Sequence, residues 1–126
     1  MCIRDRFTTA AQAFAARVGV CQDYAHVTLA LARACGLTAR YVSGHLIGDG
    51  ASHAWVEIFV PERGRGVRVL SLDPTHGRPT DLRYLVIAVG RDYEDVAPTS
   101  GVFSGSAPGR IGARQVVRLT DVTLAA

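Results

Sequence analysis

Lysine is missing from the 126-residue chain, and all fourteen basic residues are arginines. They are scattered from Arg4 to Arg118 without forming a patch or stripe, whereas a face that tracks phosphates needs one. With a net charge of only +3, nucleic-acid binding is not expected. No run approaches the roughly 18 apolar residues of a membrane span, and the opening MCIRDRFTTA has neither the apolar stretch nor the cleavage site of a signal peptide. No membrane association is expected, and the expected location is the cytoplasm. Cysteine is scarce. Cys2, Cys21 and Cys35 are an odd number in a chain without a secretory signal, which argues against a disulfide framework and for reduced thiols. There is no CxxC pair, no HExxH and no other close-set ligand pair, so a zinc site from Cys21 with His26, His45 or His76 lacks its usual pattern. The acidic stretch DYED is too short for an EF-hand loop. No metal and no cofactor is expected.

What is present is apolar: 48% of the residues are hydrophobic, enough for one compact domain over residues 1–126 but not for two. A helix is predicted from about Val20 to Ala34, with Val27, Ala30, Leu31 and Ala34 as its buried stripe and Gly36 as its stop. The runs ARYVSGHLI, HAWVEIFV, VRVLSLD and RYLVIAVG are rich in β-branched and aromatic residues and read as strands. They are separated by GDGAS, PERGRG and PTHGRPTD, which are turn chemistry too short for crossover helices. The sheet is therefore expected to be antiparallel and the fold α+β, with the helix packed against one face. The core spans about residues 10–90. Residues 91–126 form a C-terminal extension: RDYEDVAPTSGVFSGSAPGRIG reads as a long surface loop and RQVVRLTDVTLA as one more strand.

Cys21 stands at the predicted start of the helix, after Gly19 and Val20. The first helical turn offers unpaired N–H groups and the positive end of the dipole, both of which stabilise an anion. A free thiol has a pKa of about 8.5, and this placement with a nearby imidazolium brings the thiolate into reach at neutral pH. Cys35 lies at the opposite end, where the dipole disfavours an anion, and reads as an inert small hydrophobe. A nucleophilic thiolate needs a base and an orienting group. His53 opens the second strand and Asp73 closes the third, with Pro74 directly behind it. If these strands are antiparallel neighbours, the start of one lies beside the end of the next, and the two side chains meet without a special loop.

Taken singly, each residue has a structural alternative. Cys21 reads as a buried core cysteine, His53 as a satisfied histidine, and Asp73 as a turn residue before proline. Gln22 and Asp23 read as first-turn residues that serve the helix cap and dipole, with Gln22 as a second candidate oxyanion donor beside the Cys21 backbone N–H. Tyr24 and Trp55 are candidate walls of the site, with core packing as the alternative for Trp55.

The string GVCQDYAH, followed by GLTARYVSGHL, SHAWVEIFVP and LDPTHG, resembles the bacterial transglutaminase-like family, a branch of the papain-like cysteine enzymes. The resemblance runs from about Ala10 to the end, since IAVGRDYEDVAPTSGVFSG also resembles the segment after the family core. It implies a Cys–His–Asp triad in that chain order, carried by Cys21, His53 and Asp73. It implies acyl transfer on amide bonds of a protein or peptide substrate through a thioester, resolved by an amine or, in a peptidase or amidase, by water. Family members often carry GW shortly before DP, where this chain has GVRVLSLDP, so one aromatic packing residue is replaced. Relatives also often carry a β-rich domain ahead of this core, whereas only FTTAAQAFAARV lies between the unusual MCIRDR opening and the helix. A fragment lacking that domain is expected. Two other readings remain: an arylamine acyltransferase, which uses the same three residue types but needs length for a cofactor-binding lobe, and a non-catalytic interaction module, which has no need of an intact triad.

Overall fold

The computed structural model describes residues 8–97, 104–106, 116–118, 120, 121 and 123. Two helices and five strands follow in the order α1 (Ala10–Ala16), α2 (Cys21–Ala34), β1 (Thr38–Leu46), β2 (Ser52–Glu62), β3 (Gly66–Asp73), β4 (Arg78–Pro79) and β5 (Tyr84–Gly90), and a short 3₁₀ turn over Glu94–Val96 ends the series. All pairings in the sheet are antiparallel and the strand order is β4-β3-β2-β1-β5. The helices pack on this sheet, α2 directly on β1 and β2 and α1 on α2. This is the α+β layout expected of the sequence. Among the described residues no helix is long and apolar enough to cross a membrane.

The ends of the helices follow from local chemistry. Thr9 caps α1 with a reciprocal pair of bonds: its Oγ1 accepts from the Gln12 N–H at 3.2 Å, and its own N–H donates to Gln12 Oε1 at 2.8 Å. Val20, which has no polar side chain, precedes α2. Asp23 compensates from the third helical position, its Oδ2 accepting the Val20 N–H at 2.9 Å. At the far end Gly36 takes φ +75°, and the Leu37 N–H returns to the Ala32 carbonyl at 2.9 Å, which closes the helix as the glycine in the sequence predicts.

The buried stripe of α2 is not the predicted one. Cys21, Ala25, Leu29 and Ala32 are buried, whereas Ala30 and Ala34 are exposed, Leu31 is 56% exposed and Val27 is half-buried. Apolar residues lie on more than one side of this helix, so hydropathy alone supports two faces. The small side chains of Ala25 and Ala32 settle the choice, because they let the helix seat closely on Tyr41, Ala54, Val56 and Ile58. Val27 instead faces α1, in a groove with Ala13, Phe14, Val18 and Tyr24. Cys35 is likewise exposed rather than a packed hydrophobe.

Alternate positions of the strands form a second cluster of Val42, Leu46, Trp55 and Tyr84. Trp55, opposite Val42 across the β1–β2 pair, fits there because Gly44 lies diagonally beside it: a Cβ on Gly44 would stand 2.5 Å from Trp55 Cη2 and 2.0 Å from the Leu85 carbonyl oxygen. The β1–β5 register shifts between Ser43 and Gly44 at this same point.

The segment after β5 is not the plain surface loop expected of it, because the 3₁₀ turn carries Val96 into the core and Tyr93 packs alongside. His26 fastens it, its Nε2 accepting the Tyr93 N–H at 3.2 Å. Beyond residue 97, only 104–106 of that loop and 116–118, 120, 121 and 123 of RQVVRLTDVTLA are among the described residues, and none of these lies in the strand expected there. Burial, the largest influence on His26, lowers its pKa below the ordinary 6.5, against the opposing pull of Asp92 and Asp23. A protonated Nε2 cannot accept the Tyr93 bond. The contribution of His26 to stability is therefore complete above about pH 6.5 and lost as the pH falls towards its lower folded-state value. On this account the melting temperature should be lower at about pH 5.5 than at about pH 7.5. His26→Gln, which keeps an acceptor without the charge, should remove that share of the difference; an unchanged dependence on pH would assign it elsewhere.

Candidate active site

His53 enters β2 as its second residue, opposite Gly44 of β1. Asp73 is the last residue of β3. The antiparallel β2–β3 register pairs Val56 with Leu72, so the start of β2 and the end of β3 lie at the same end of the sheet, with Asp73 offset diagonally from His53. The diagonal is bridged directly, with His53 Nε2 standing 2.8 Å from Asp73 Oδ2. Both are buried, Asp73 completely, and the imidazole stacks at 6.3 Å on the Trp55 ring two residues along the strand. The antiparallel argument from the sequence thus finds its geometric counterpart.

Asp73 has more partners than that argument supplied. The Tyr84 hydroxyl donates to Oδ2 at 2.7 Å, and His76 Nδ1 stands 2.7 Å from the same oxygen. Oδ1 accepts the backbone N–H groups of Thr75 at 2.9 Å and His76 at 3.3 Å, which folds the turn after β3 around the carboxylate. Burial opposes the charge, but the bonds from Tyr84, His76 and His53 outweigh it and hold the Asp73 carboxyl at about 2. Asp73 is therefore ionised throughout the neutral range. Burial and the Asp73 carboxylate raise the Tyr84 phenol, which keeps it a donor.

Cys21 is the first residue of α2 and is 5% exposed. It lies in the same core cluster as Ala54, the residue after His53, and Tyr41 of β1. Burial, with the Cys21 thiol, Tyr93 and Asp23 acting in the same direction, raises the Tyr41 phenol. Tyr41 therefore stays neutral beside the thiol. Gln22 is half-buried and lines a second groove with His26 and Tyr93. Tyr24 is exposed and lines the groove between α1 and α2, while Trp55 is fully packed beside His53. Asp23 serves the helix cap.

The fold also assembles a close-set group that the linear sequence does not display: His53, Asp73 and His76 bring one ligand atom each within 4.8 Å of one another. Each histidine stands at hydrogen-bond length from Asp73 Oδ2, which already has Tyr84 as a further donor. The donor set is therefore arranged to share protons around one carboxylate oxygen. The sequence reading weighed His76 as a zinc ligand rather than as a partner of Asp73, and did not single out Tyr84 or Arg78 behind it. The only visible signal was His76 in LDPTHG, three residues from the carboxylate.

A helix headed by cysteine, an antiparallel sheet and a buried imidazole–carboxylate pair on adjacent strands together define a papain-like thiol-enzyme scaffold. The model of the transglutaminase-like superfamily matches residues 4–74, more than half of the chain, and the chain belongs to that superfamily. It is similar to an uncharacterized protein of Mycobacterium tuberculosis, 44% identical over 98 residues that cover 69% of this chain and 31% of the relative. A second uncharacterized protein, from Mycobacterium leprae, is 40% identical over 97 residues, covering 69% of this chain and 33% of the relative. Among solved structures, a candidate cysteine protease from Cytophaga hutchinsonii superposes with a TM-score of 0.62 at 31% identity, over 75% of this chain and 31% of that one. The chain spans about a third of the length of the curated relatives it matches.

The two described cysteines allow a direct test of thiol activation. Cys35 is exposed and Cys21 buried, so access alone favours Cys35, whereas the helix N-terminus favours a thiolate at Cys21. Under limiting iodoacetamide at neutral pH, Cys21 should react about tenfold faster than Cys35, with a rate that falls only at acidic pH. Peptide mapping by mass spectrometry reads the ratio. Faster labelling of Cys35 would mean that burial outweighs activation.

Proposed function

We propose that this domain is a thiol-dependent acyl-transfer enzyme acting on amide bonds of proteins or peptides, with Cys21 as nucleophile, His53 as base and Asp73 as the group that orients the imidazole. The single observation that carries the reading is the buried bond from His53 Nε2 to Asp73 Oδ2 at 2.8 Å. An ionised Asp73 in this bond favours the tautomer with the proton on Nε2, which leaves Nδ1 for the basic role. His53 takes the thiol proton, and the Cys21 sulfur attacks the amide carbonyl. The C–N bond breaks as the imidazolium returns its proton to the leaving nitrogen, so ammonia or an amine departs and a thioester remains. A second amine resolves the thioester to a new amide, or water resolves it to an acid. The backbone N–H of Cys21 at the helix start is the natural donor to the oxyanion. No cofactor enters this chemistry, and a cytoplasmic setting, where thiols stay reduced, suits it.

Hydrolysis is the second reading, supported by the likeness to a candidate cysteine protease. The two differ in water exclusion and acceptor binding around the thioester rather than in the triad. Intact-protein mass spectrometry after incubation with glutamine peptides and a panel of amines separates them. An acyl adduct on Cys21 that disappears on adding amine, with an amide product, supports transfer, and decay to free acid at the same rate with or without amine supports hydrolysis. No adduct and no released ammonia or amine, with Cys21→Ser indistinguishable from wild type, would leave an interaction module.

A further inference from the structure

The carboxylate that orients His53 is itself held from two further sides. Tyr84, the first residue of β5, donates its hydroxyl to Asp73 Oδ2 at 2.7 Å and accepts from Arg78 Nε of β4 at 3.0 Å, with the Arg78 guanidinium 5.7 Å from its ring centre. His76, in the turn after β3, approaches the same oxygen through Nδ1 at 2.7 Å, and its ring lies 5.4 Å from that of His53. The two differ in access to water: Tyr84 is buried, whereas the His76 side chain is 40% exposed and that of His53 only 4%. The family match ends at residue 74, so neither residue falls within it.

We propose that Tyr84 and His76 are positioning residues that hold Asp73 Oδ2 on the His53 Nε2 axis. The inference rests on the reading of Cys21, His53 and Asp73 as the working site. Tyr84 holds the carboxylate from the side of β5: its hydroxyl, polarised by Arg78, fixes where Oδ2 sits. His76 holds it from the turn after β3, with Nδ1 2.7 Å from Oδ2 and its backbone N–H donating to Oδ1 at 3.3 Å. Together they leave the carboxylate little freedom to swing away from the imidazole it orients.

The test measures kcat and KM of the intact chain on a glutamine peptide at neutral pH, with the melting temperature of each variant. Tyr84→Phe should lower kcat about tenfold at unchanged KM. His76→Ala should likewise lower kcat at unchanged KM, and His76→Asn, which keeps a donor where Nδ1–H stood, should restore part of the loss. Arg78→Gln, which weakens the Tyr84 hydroxyl from behind, should give a smaller loss and stands in if Tyr84→Phe melts below the assay temperature. Full kcat in Tyr84→Phe, or in Arg78→Gln standing in for it, overturns the role of Tyr84, and full kcat in His76→Ala overturns that of His76. Failure of the underlying reading looks different: Cys21→Ser then retains turnover.

Discussion

His53→Ala should reduce turnover by about a thousandfold, within the range general acid–base catalysis contributes, and slow alkylation of Cys21 at neutral pH while leaving it fast in alkali. The two effects have one cause. On the proposed assignment of His53 as the base, the variant removes the acceptor of the thiol proton and the cationic partner of the thiolate, while the helix N-terminus still favours the anion. The buried carboxylate does not lose its fold role in this variant, because Asp73 keeps Tyr84 and His76 on Oδ2 and the turn N–H groups on Oδ1. A folded but inactive protein is therefore the expected product, with a modest fall in melting temperature from the space left beside Trp55. Stopped-flow alkylation and steady-state turnover on one preparation read both effects. Turnover within tenfold of wild type would take His53 out of the proton-transfer step, and unchanged alkylation would mean that another group activates Cys21.

The residues legible in the sequence were those fixed by short-range rules. The four longer strands were bounded by glycine and proline turns, the start of α2 by the shift from a glycine-containing approach into a helical pattern, and its end by Gly36. The approach of His53 to Asp73 followed from one long-range statement, that β2 and β3 are antiparallel neighbours, which the short PERGRG stretch almost dictates, with three residues between the two strands. Features that depend on which surfaces meet were not legible. The buried face of α2 was decided by the closeness that Ala25 and Ala32 permit against Tyr41 and Val56, not by which side chains are most apolar. The bond from Tyr84 to Asp73 joins the start of β5 to the end of β3, two strands that are not neighbours in the sheet. No periodicity reports such a crossing, and a tyrosine opening an apolar strand looks like any other core aromatic.

That crossing sharpens the expectation for Asp73→Asn. In a triad the carboxylate holds the imidazole in its working tautomer, and the amide isostere supports the wrong one, with a loss of up to about 10⁴ in the serine-enzyme precedent. As a turn residue before Pro74, Asp73 could become Asn almost silently, since both residues suit such turns. The hydrogen bonds separate these cases further. An Asn carbonyl placed at Oδ1 still accepts from Thr75 and His76, but its NH₂ group then faces His53, His76 and Tyr84, three groups that now donate to Oδ2. At least one of those donors must turn away or be left unpaired in a buried site, at a stability loss of about 1–3 kcal/mol. The variant should therefore fold with a lowered melting temperature and lose nearly all turnover. It should also lose the stability that wild type shows above pH 3.8 and gives up as the pH falls towards 2, because the ionised carboxylate responsible for it is gone. Melts from pH 3 to pH 7 and turnover at pH 7 decide the matter: an Asn variant with wild-type activity and the wild-type acid profile would remove Asp73 from the site and leave the turn as its only role.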